Sequence, residues 1–275
     1  VPLRRRVFSI TGWVLTGSAL LLLSTAMVWI LTMVFLRGLG AISPALFVTV
    51  TQENGGGLLN AIEGTAVLSA GALLLAVPFG AASGIYISEY RHGVWAPTIR
   101  FLADILVGVP SIVLGYFGYV TMVEGLGWNF SVAAGSITLA IICLPYICRT
   151  TELALQQVSP DLREAAFALG ANDRRVITRI CLPAALPAML TGILLALAIS
   201  VGETAPLLYT AGWSDFLWNG RLTHSLIGYL TYAIWTFINE LFTSAHALAY
   251  AAAFLVTIFV LIVNIVSRLA FDQRL

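Results

Sequence analysis

The stretch EAAFALGANDRRVITRICLP, residues 164–183, decides how this chain is organised. It is too polar to cross a membrane, yet its residues are ordered as two short helices joined by a turn. Ser159 followed by Pro160 is typical of a helix start, and Gly170 is typical of a helix end. Asn172 can cap a second helix. The stretch therefore predicts a compact helical elbow beneath the apolar run that follows it.

The two faces of this elbow differ in polarity. We expect one apolar face, formed by Leu162, Ala165, Ala166 and Leu169. The charged residues are expected to point away from that face; they are Arg163, Glu164, Arg174, Arg175 and Arg179.

The composition outside the elbow is that of a membrane protein. Of 275 residues, 59% are hydrophobic and 10% are charged, whereas soluble domains average about 45–50% and about 25%. All 14 basic residues are arginine. The absence of lysine excludes a nucleotide-binding P-loop and Schiff-base chemistry. A net charge of +1 gives no reason to expect a nucleic-acid partner.

Stretches without charged residues predict six transmembrane helices, because about 20 apolar residues cross the hydrocarbon core. A seventh stretch, 222–239, is more polar and has helical spacing, so we predict an amphipathic helix there, on the outer surface. The six predicted spans are residues 7–36, 64–88, 105–123, 125–148, 180–202 and 241–267.

The arginines set the orientation, since basic residues accumulate in cytoplasmic loops. Six spans with cytoplasmic N- and C-termini place twelve of the 14 arginines inside, Arg274 among them. We predict an all-α membrane protein with a single transmembrane domain over residues 1–275. Its elbow lies in a cytoplasmic loop, 149–183, and its amphipathic helix in an outer loop, 207–245.

The sequence offers no metal site and no catalytic constellation. The cysteines and histidines are scattered without ligand spacing, and no cofactor is expected. No histidine lies at a depth comparable to the serines near Glu203, which argues against an intramembrane hydrolase. The residues concerned are Cys143, Cys148, Cys181, His92, His224 and His246.

Seven residues of the elbow resemble a signature of ABC importer permeases, EAA-x3-G-x9-I-x-L-P. They are Glu164, Ala165, Ala166, Gly170, Ile180, Leu182 and Pro183. The resemblance implies a type I importer permease whose elbow is a coupling helix, docked in a groove of a separate ATPase subunit. It assigns coupling to Glu164, Ala165, Ala166 and Gly170, with Arg163 and Arg174 beside them.

Further segments resemble the permeases of bacterial phosphate-specific importers. They include GG at 56–57, VPSI at 109–112, RTTE at 149–152 and GETAPL at 202–207. This resemblance implies a multi-pass protein of the bacterial inner membrane, surrounded by lipid, that moves inorganic phosphate. The implied partners are a second permease subunit, a cytoplasmic ATPase dimer and an extracytoplasmic phosphate-binding protein.

Two acids at the ends of spans are candidates for the substrate path, because ionisable groups at such positions usually face a bundle interior. Glu203 could accept a hydrogen bond from an O–H of phosphate, a donor that fully ionised sulfate lacks. Asp104 is a weaker candidate, for which pairing with Arg100 is the structural alternative. Hydroxyl groups that could donate to the anion are those of Ser200, Thr204 and Ser111.

One position departs from the phosphate permeases, which usually carry an arginine four residues before the glutamate. This chain has Ile199 there. Three explanations stay open: the partner permease supplies the arginine, hydroxyls bind the anion, or the substrate is another oxyanion such as sulfate or molybdate. An ion-driven transporter that uses Glu203 as proton carrier is a further alternative, and the coupling signature argues against it.

Overall fold

The computed structural model describes residues 3–52, 55–91 and 93–272, so the predictions for His92 and Arg274 lie outside the described residues. These residues form twelve α-helices and one short antiparallel hairpin, β1 Thr51–Gln52 with β2 Gly55–Gly56. The helices are α1 Leu3–Ala41, α2 Ala45–Val48, α3 Leu59–Glu89, α4 Ala96–Gly108, α5 Ser111–Gly118, α6 Val132–Gln156, α7 Pro160–Ala168, α8 Asp173–Val176, α9 Leu182–Gly202, α10 Ala205–Thr210, α11 Leu230–Phe237 and α12 Thr243–Asp272.

Five helical segments are long and apolar enough to cross a membrane, and a bent pair gives a sixth if it is one span. The five are Phe8–Ala41, Leu59–Glu89, Val132–Gln156, Asp173–Gly202 and Thr243–Leu269.

The predicted span over 105–123 is divided between two helical segments. The segments Ala96–Gly108 and Ser111–Gly125 meet at 101°. Val109 and Pro110 between them are extended, with ψ of 127° and 132°. Proline restricts the residue before it to extended backbone and has no N–H to continue the helix. The break therefore follows from Pro110.

The centre of the bundle is built by α3, α6 and α9. Leu68 of α3, Leu139 of α6 and Ala196 of α9 belong to one buried cluster. Gly80 and Gly84 lie directly against α6, so that a Cβ at Gly84 would meet the Cys148 carbonyl and the Thr151 side chain. The small residues of α3 thus allow the close helix approach on which the buried centre depends.

The first helix is attached to the bundle mainly near its end. Phe35 packs edge-on against Phe254 of α12 at 5.3 Å, and Arg37 donates to the Tyr250 hydroxyl at 2.9 Å. By contrast, residues 8–32 are exposed wherever their side chains are described. This apolar surface is what a helix in lipid or against another membrane subunit presents.

The outer segment after α10 departs from the predicted helix over 222–239. The helix is confined to α11, Leu230–Phe237. His224 has a left-handed backbone with φ of 57°, and Tyr229 is extended, so a helix cannot run through them. Leu230 and Ala233 of α11 are buried against α3 and α12, whereas Trp235 of the same helix is exposed.

The cytoplasmic loop is also shorter than predicted. Residues 149–156 are the last two turns of α6, and α8 passes through a π-helical turn, Ile177–Cys181, into α9. The second arm of the elbow is therefore the cytoplasmic end of the fifth span and not a separate helix.

Candidate functional site

The first arm of the elbow, α7, has the predicted caps. Ser159 Oγ accepts a hydrogen bond from the Asp161 N–H at 3.2 Å, with Pro160 at the first helical position. Gly170 ends the turn with φ of +79°, a conformation that side chains disfavour. Asn172 Oδ1 accepts from the Arg175 N–H at 3.0 Å and starts α8. Local sequence alone therefore shapes the elbow.

The elbow is anchored to α3 by an ion pair. Arg163 Nη1 lies 2.6 Å from Glu89 Oε2, and its Nη2 donates both to Glu89 Oε1 at 2.9 Å and to the Leu155 carbonyl at 3.0 Å. The hydrogen bond to the carboxylate raises the pKa of the Arg163 guanidinium. No local pattern in the sequence indicated this contact, which holds α7 against α3.

The predicted apolar face of α7 is mostly exposed. Ala166 packs into a buried cluster with Leu155 and Val176, whereas Leu162 is half-exposed and Leu169 is 90% exposed. Phe167 is also half-exposed, and Glu164 and Ala165 share this surface. We call these residues the coupling surface: Leu162, Glu164, Ala165, Phe167 and Leu169. Apolar side chains clustered at a cytoplasmic surface are typical of a protein-binding site.

A second charged group joins α4 to α6. Arg149 Nη2 lies 2.6 Å from Asp104 Oδ1, and its Nη1 lies 2.7 Å from Glu152 Oε2. Arg100 pairs with the other oxygen of Glu152. The structural alternative predicted that Asp104 pairs with Arg100. Asp104 instead pairs with Arg149. The network places Asp104 at the cytoplasmic end of the bent pair, among structural charges.

Glu203 lines a small buried cavity between α3, α6, α9, α10 and the outer segment. Its volume is about 10 Å³, the space of roughly one water molecule. We call it the Glu203 cavity; its lining is Thr65, Leu68, Ser69, Leu139, Ser200, Val201, Glu203, Leu207, Tyr229 and Thr231. Five of these side chains carry hydroxyls, and none carries a positive charge. The predicted residues Ser200 and Glu203 therefore meet in one site.

Hydrogen bonds hold the parts of this cavity together. Ser200 donates to Ser69 Oγ at 3.1 Å, which joins α9 to α3. Thr231 donates to the Glu203 carbonyl at 2.7 Å, and Thr65 Oγ1 accepts from the Leu230 N–H at 2.9 Å. Through these two bonds the outer segment is tied to both helices. The cavity is thus closed by side chains from distant parts of the sequence.

The bent pair reaches the same place through α5. The Ser111 side chain at the start of α5 lies near the Glu203 carboxylate. Gly115, one turn later, lies against the Pro206 backbone, where a Cβ would clash. Thr204 is half-buried at the start of α10, outside the cavity lining. The break at Pro110 therefore delivers Ser111 to Glu203.

Comparison with known families gives this architecture its context. The sequence profile of the binding-protein-dependent transport system inner membrane component matches residues 76–275, well over half of the chain. The chain belongs to this family. The predicted resemblance to importer permeases is confirmed, and this inner membrane component has the multi-pass helical fold expected of it.

Curated relatives cover most of this inner membrane component. It is 44% identical over 269 residues to the phosphate transport system permease protein PstA 2 of Mycobacterium bovis, covering 98% of this chain and 89% of that protein. It is 41% identical over 252 residues to the phosphate transport system permease protein PstA of Yersinia pestis, covering 90% and 84%.

A solved structure shares the fold. The inward-facing MetNI methionine ABC transporter aligns with a TM-score of 0.65 at 19% identity, covering 78% of this chain and 94% of that chain. At this identity the likeness concerns the fold alone.

Sequence reasoning missed four cavity residues of this transport component: Thr65, Ser69, Tyr229 and Thr231. Thr65 and Ser69 are four residues apart in a predicted span, so their shared helix face was a readable signal. Tyr229 and Thr231 gave no such signal, because the course of the outer segment depends on tertiary contacts. One of these contacts is at Gly64, where a Cβ would meet the Gly228 carbonyl.

Proposed function

We propose that this chain is a permease subunit of an ATP-driven phosphate importer. The observation that carries the proposal is its 44% identity, over 98% of its length, to a protein named as a phosphate transport permease. The chain would form half of a translocation path with a second permease subunit. An extracytoplasmic phosphate-binding protein would deliver the substrate, and a cytoplasmic ATPase dimer would perform the bond chemistry.

The coupling surface is the proposed contact with the ATPase. Its leucines and Phe167 are exposed at the end of a helix whose other face is fixed by Ala166 and Arg163. A helix held this way can transmit a displacement to α3 through Glu89, because charge-assisted bidentate hydrogen bonds keep their geometry. Glu164, Gly170 and Arg174 belong to the same proposed contact.

Glu203 is the residue that we propose selects a protonated oxyanion over a fully ionised one. Inorganic phosphate keeps at least one proton at neutral pH, and the O–H that carries it can donate a hydrogen bond to a carboxylate. Sulfate has no such proton and would meet an uncompensated negative charge. Ser111 lies near Glu203 and could donate to one of the remaining oxygens. Ser200 lines the same cavity and could do so after releasing its hydrogen bond to Ser69. Thr204 and Asp104, outside the cavity, would act at other stages of the path.

The missing arginine fits a path lined by neutral donors. Ile199 precedes Ser200 on α9, and the cavity that Ser200 lines is rich in hydroxyls. Hydroxyls bind anion oxygens without the cost of burying a cation. In the proposed complex, any cationic ligand comes from the second permease.

Uptake into liposomes that hold the whole complex tests the substrate. We expect ATP-dependent uptake of radiolabelled phosphate that unlabelled phosphate abolishes and equimolar sulfate leaves unchanged. If sulfate competes and phosphate does not, the cargo is another oxyanion. If uptake persists without ATP and follows the membrane potential, the chain is an ion-driven transporter.

A charge placed on the coupling surface tests the contact with the ATPase. Leu169→Asp changes a side chain that is 90% exposed, so the permease should fold normally. We expect it to lose co-purified ATPase and ATP-dependent uptake. Leu241→Asp is the matched control, because Leu241 is 94% exposed and lies between α11 and α12, on the predicted outer side. Equal ATPase recovery from both variants would contradict the assignment.

A further inference from the structure

Among the residues that line the Glu203 cavity, Tyr229 has a buried polar atom without a hydrogen-bond partner. Its side chain is 1% exposed, and its hydroxyl has no hydrogen-bond partner among the described residues. Buried hydroxyls almost always have a partner, because losing water without replacement is costly. The neighbouring hydroxyls do not share this property: those of Thr65, Thr231 and Ser200 donate to protein oxygens.

Packing of the Tyr229 ring and of the preceding backbone sets the position of this residue. The hydroxyl makes no hydrogen bond with the described residues that would set it. Its ring packs at 5.6 Å, edge to face, against Tyr232, and the preceding Gly228 lies against Gly64 of α3. Phenylalanine would satisfy this packing equally well. Tyr229 thus brings a hydroxyl without a partner among the described residues to the lining of the cavity that Glu203 also lines.

The two groups are chemically complementary toward one class of ligand. An ionised carboxylate only accepts hydrogen bonds, whereas a phenol donates one. A tetrahedral oxyanion that carries a proton can give its O–H to Glu203 and receive the Tyr229 O–H on another oxygen. We infer that Tyr229 is a substrate-binding residue of the translocation path, a neutral donor to a protonated oxyanion held at Glu203.

This inference rests on the proposed function and extends it to the outer segment. The cavity of about 10 Å³ has room for one water molecule, so an anion enters only after the outer segment moves relative to α3 and α9. The bonds that close the cavity are single hydroxyl contacts, such as Thr231 to the Glu203 carbonyl.

Tyr229→Phe tests the inference, because it removes the hydroxyl and keeps the ring. In liposomes holding the whole complex, we expect the KM for phosphate uptake to rise about tenfold or more, the value of one hydrogen bond to an anion. The maximal rate should change little. Tyr232→Phe is the matched control, since its ring touches Tyr229 but does not line the cavity.

A second variant, Ser69→Ala, changes the same cavity on its α3 side and should also raise the KM for phosphate uptake. An unchanged KM in Tyr229→Phe, with or without a change in thermal stability, would show that the hydroxyl serves only a structural water. That result overturns the inference and leaves the proposed function intact. Absence of phosphate uptake by the wild-type complex would instead reject the proposed function.

Discussion

The polar groups at the cytoplasmic end and those around Glu203 are satisfied in different ways. At the cytoplasmic end two buried carboxylates are paired with arginines: Glu89 with Arg163, and Glu152 with Arg100 and Arg149. Around Glu203 the neighbours are neutral hydroxyls, and one of them is unpartnered. Paired charges fix helices in one arrangement. Neutral donors leave room for a ligand that brings its own charge.

This difference predicts that substitutions at the two places impair different measurable properties. Changes at the cytoplasmic end should act on stability and on ATP coupling. Changes at the Glu203 cavity should act on substrate affinity while the ATPase stays bound.

Arg163→Ala should have the largest effect. It leaves the Glu89 carboxylate, 8% exposed, without its partner, and breaking a buried pair from one side costs about 3 kcal/mol. We expect the free energy of unfolding in detergent to fall by about that amount and ATP-dependent uptake to be lost.

A double-mutant cycle separates the pair from its surroundings. The cycle uses Arg163→Gln, Glu89→Gln and the two combined. Because the double variant removes both charges, it should be more stable than Arg163→Gln alone. If Arg163→Gln and the double variant are equally stable, the pair does not anchor α7.

Gly64→Ala should come next, because it pushes the outer segment away from α3. Its Cβ would meet the Gly228 carbonyl, a rigid backbone group, and overpacking of this kind costs about 2 kcal/mol. Phosphate uptake should fall with stability, since the Glu203 cavity loses its closure. Gly12→Ala is the control, with no atom within 4 Å of its Cβ. Equal stability of the two variants would contradict the seating of the outer segment on α3.

Glu203→Gln should affect affinity and not assembly. The amide keeps the shape of the side chain but exchanges one accepting oxygen for a donor. We expect the KM for phosphate to rise about tenfold, the value of one charge-assisted hydrogen bond, with ATPase co-purification unchanged. An unchanged KM in uptake assays would remove Glu203 from the path.

How much of the structure can be predicted from the sequence depends on the distance along the chain between interacting residues. The caps at Ser159 and Asn172 and the turn at Gly170 are local, and the structure has all three as predicted. The partner of Arg163 is 74 residues away, and no local pattern indicates it. The break at Pro110 has a local cause, but a count of apolar residues alone does not register it.

The Glu203 cavity shows the same limit at its centre. Ser200 and Glu203 are three residues apart, so their joint exposure to one site could be predicted. Tyr229 reaches that site only because Gly228 fits against Gly64. A contact between two backbone segments leaves no periodic pattern of apolar residues in the sequence. The position of Tyr229 therefore follows only from the folded structure.

The smallest effect is expected at Ser159, where the two kinds of support can be compared within α7 itself. Ser159→Ala removes the N-cap hydrogen bond and should cost about 1 kcal/mol. Hydrogen exchange of α7 should quicken roughly fivefold, because exchange follows the local opening free energy. Uptake should stay near the wild-type level, since Arg163 still holds the helix against Glu89. If Ser159→Ala abolished uptake while the ion pair remained, coupling would depend on the helix start, and Arg163 would lose its place as the anchor.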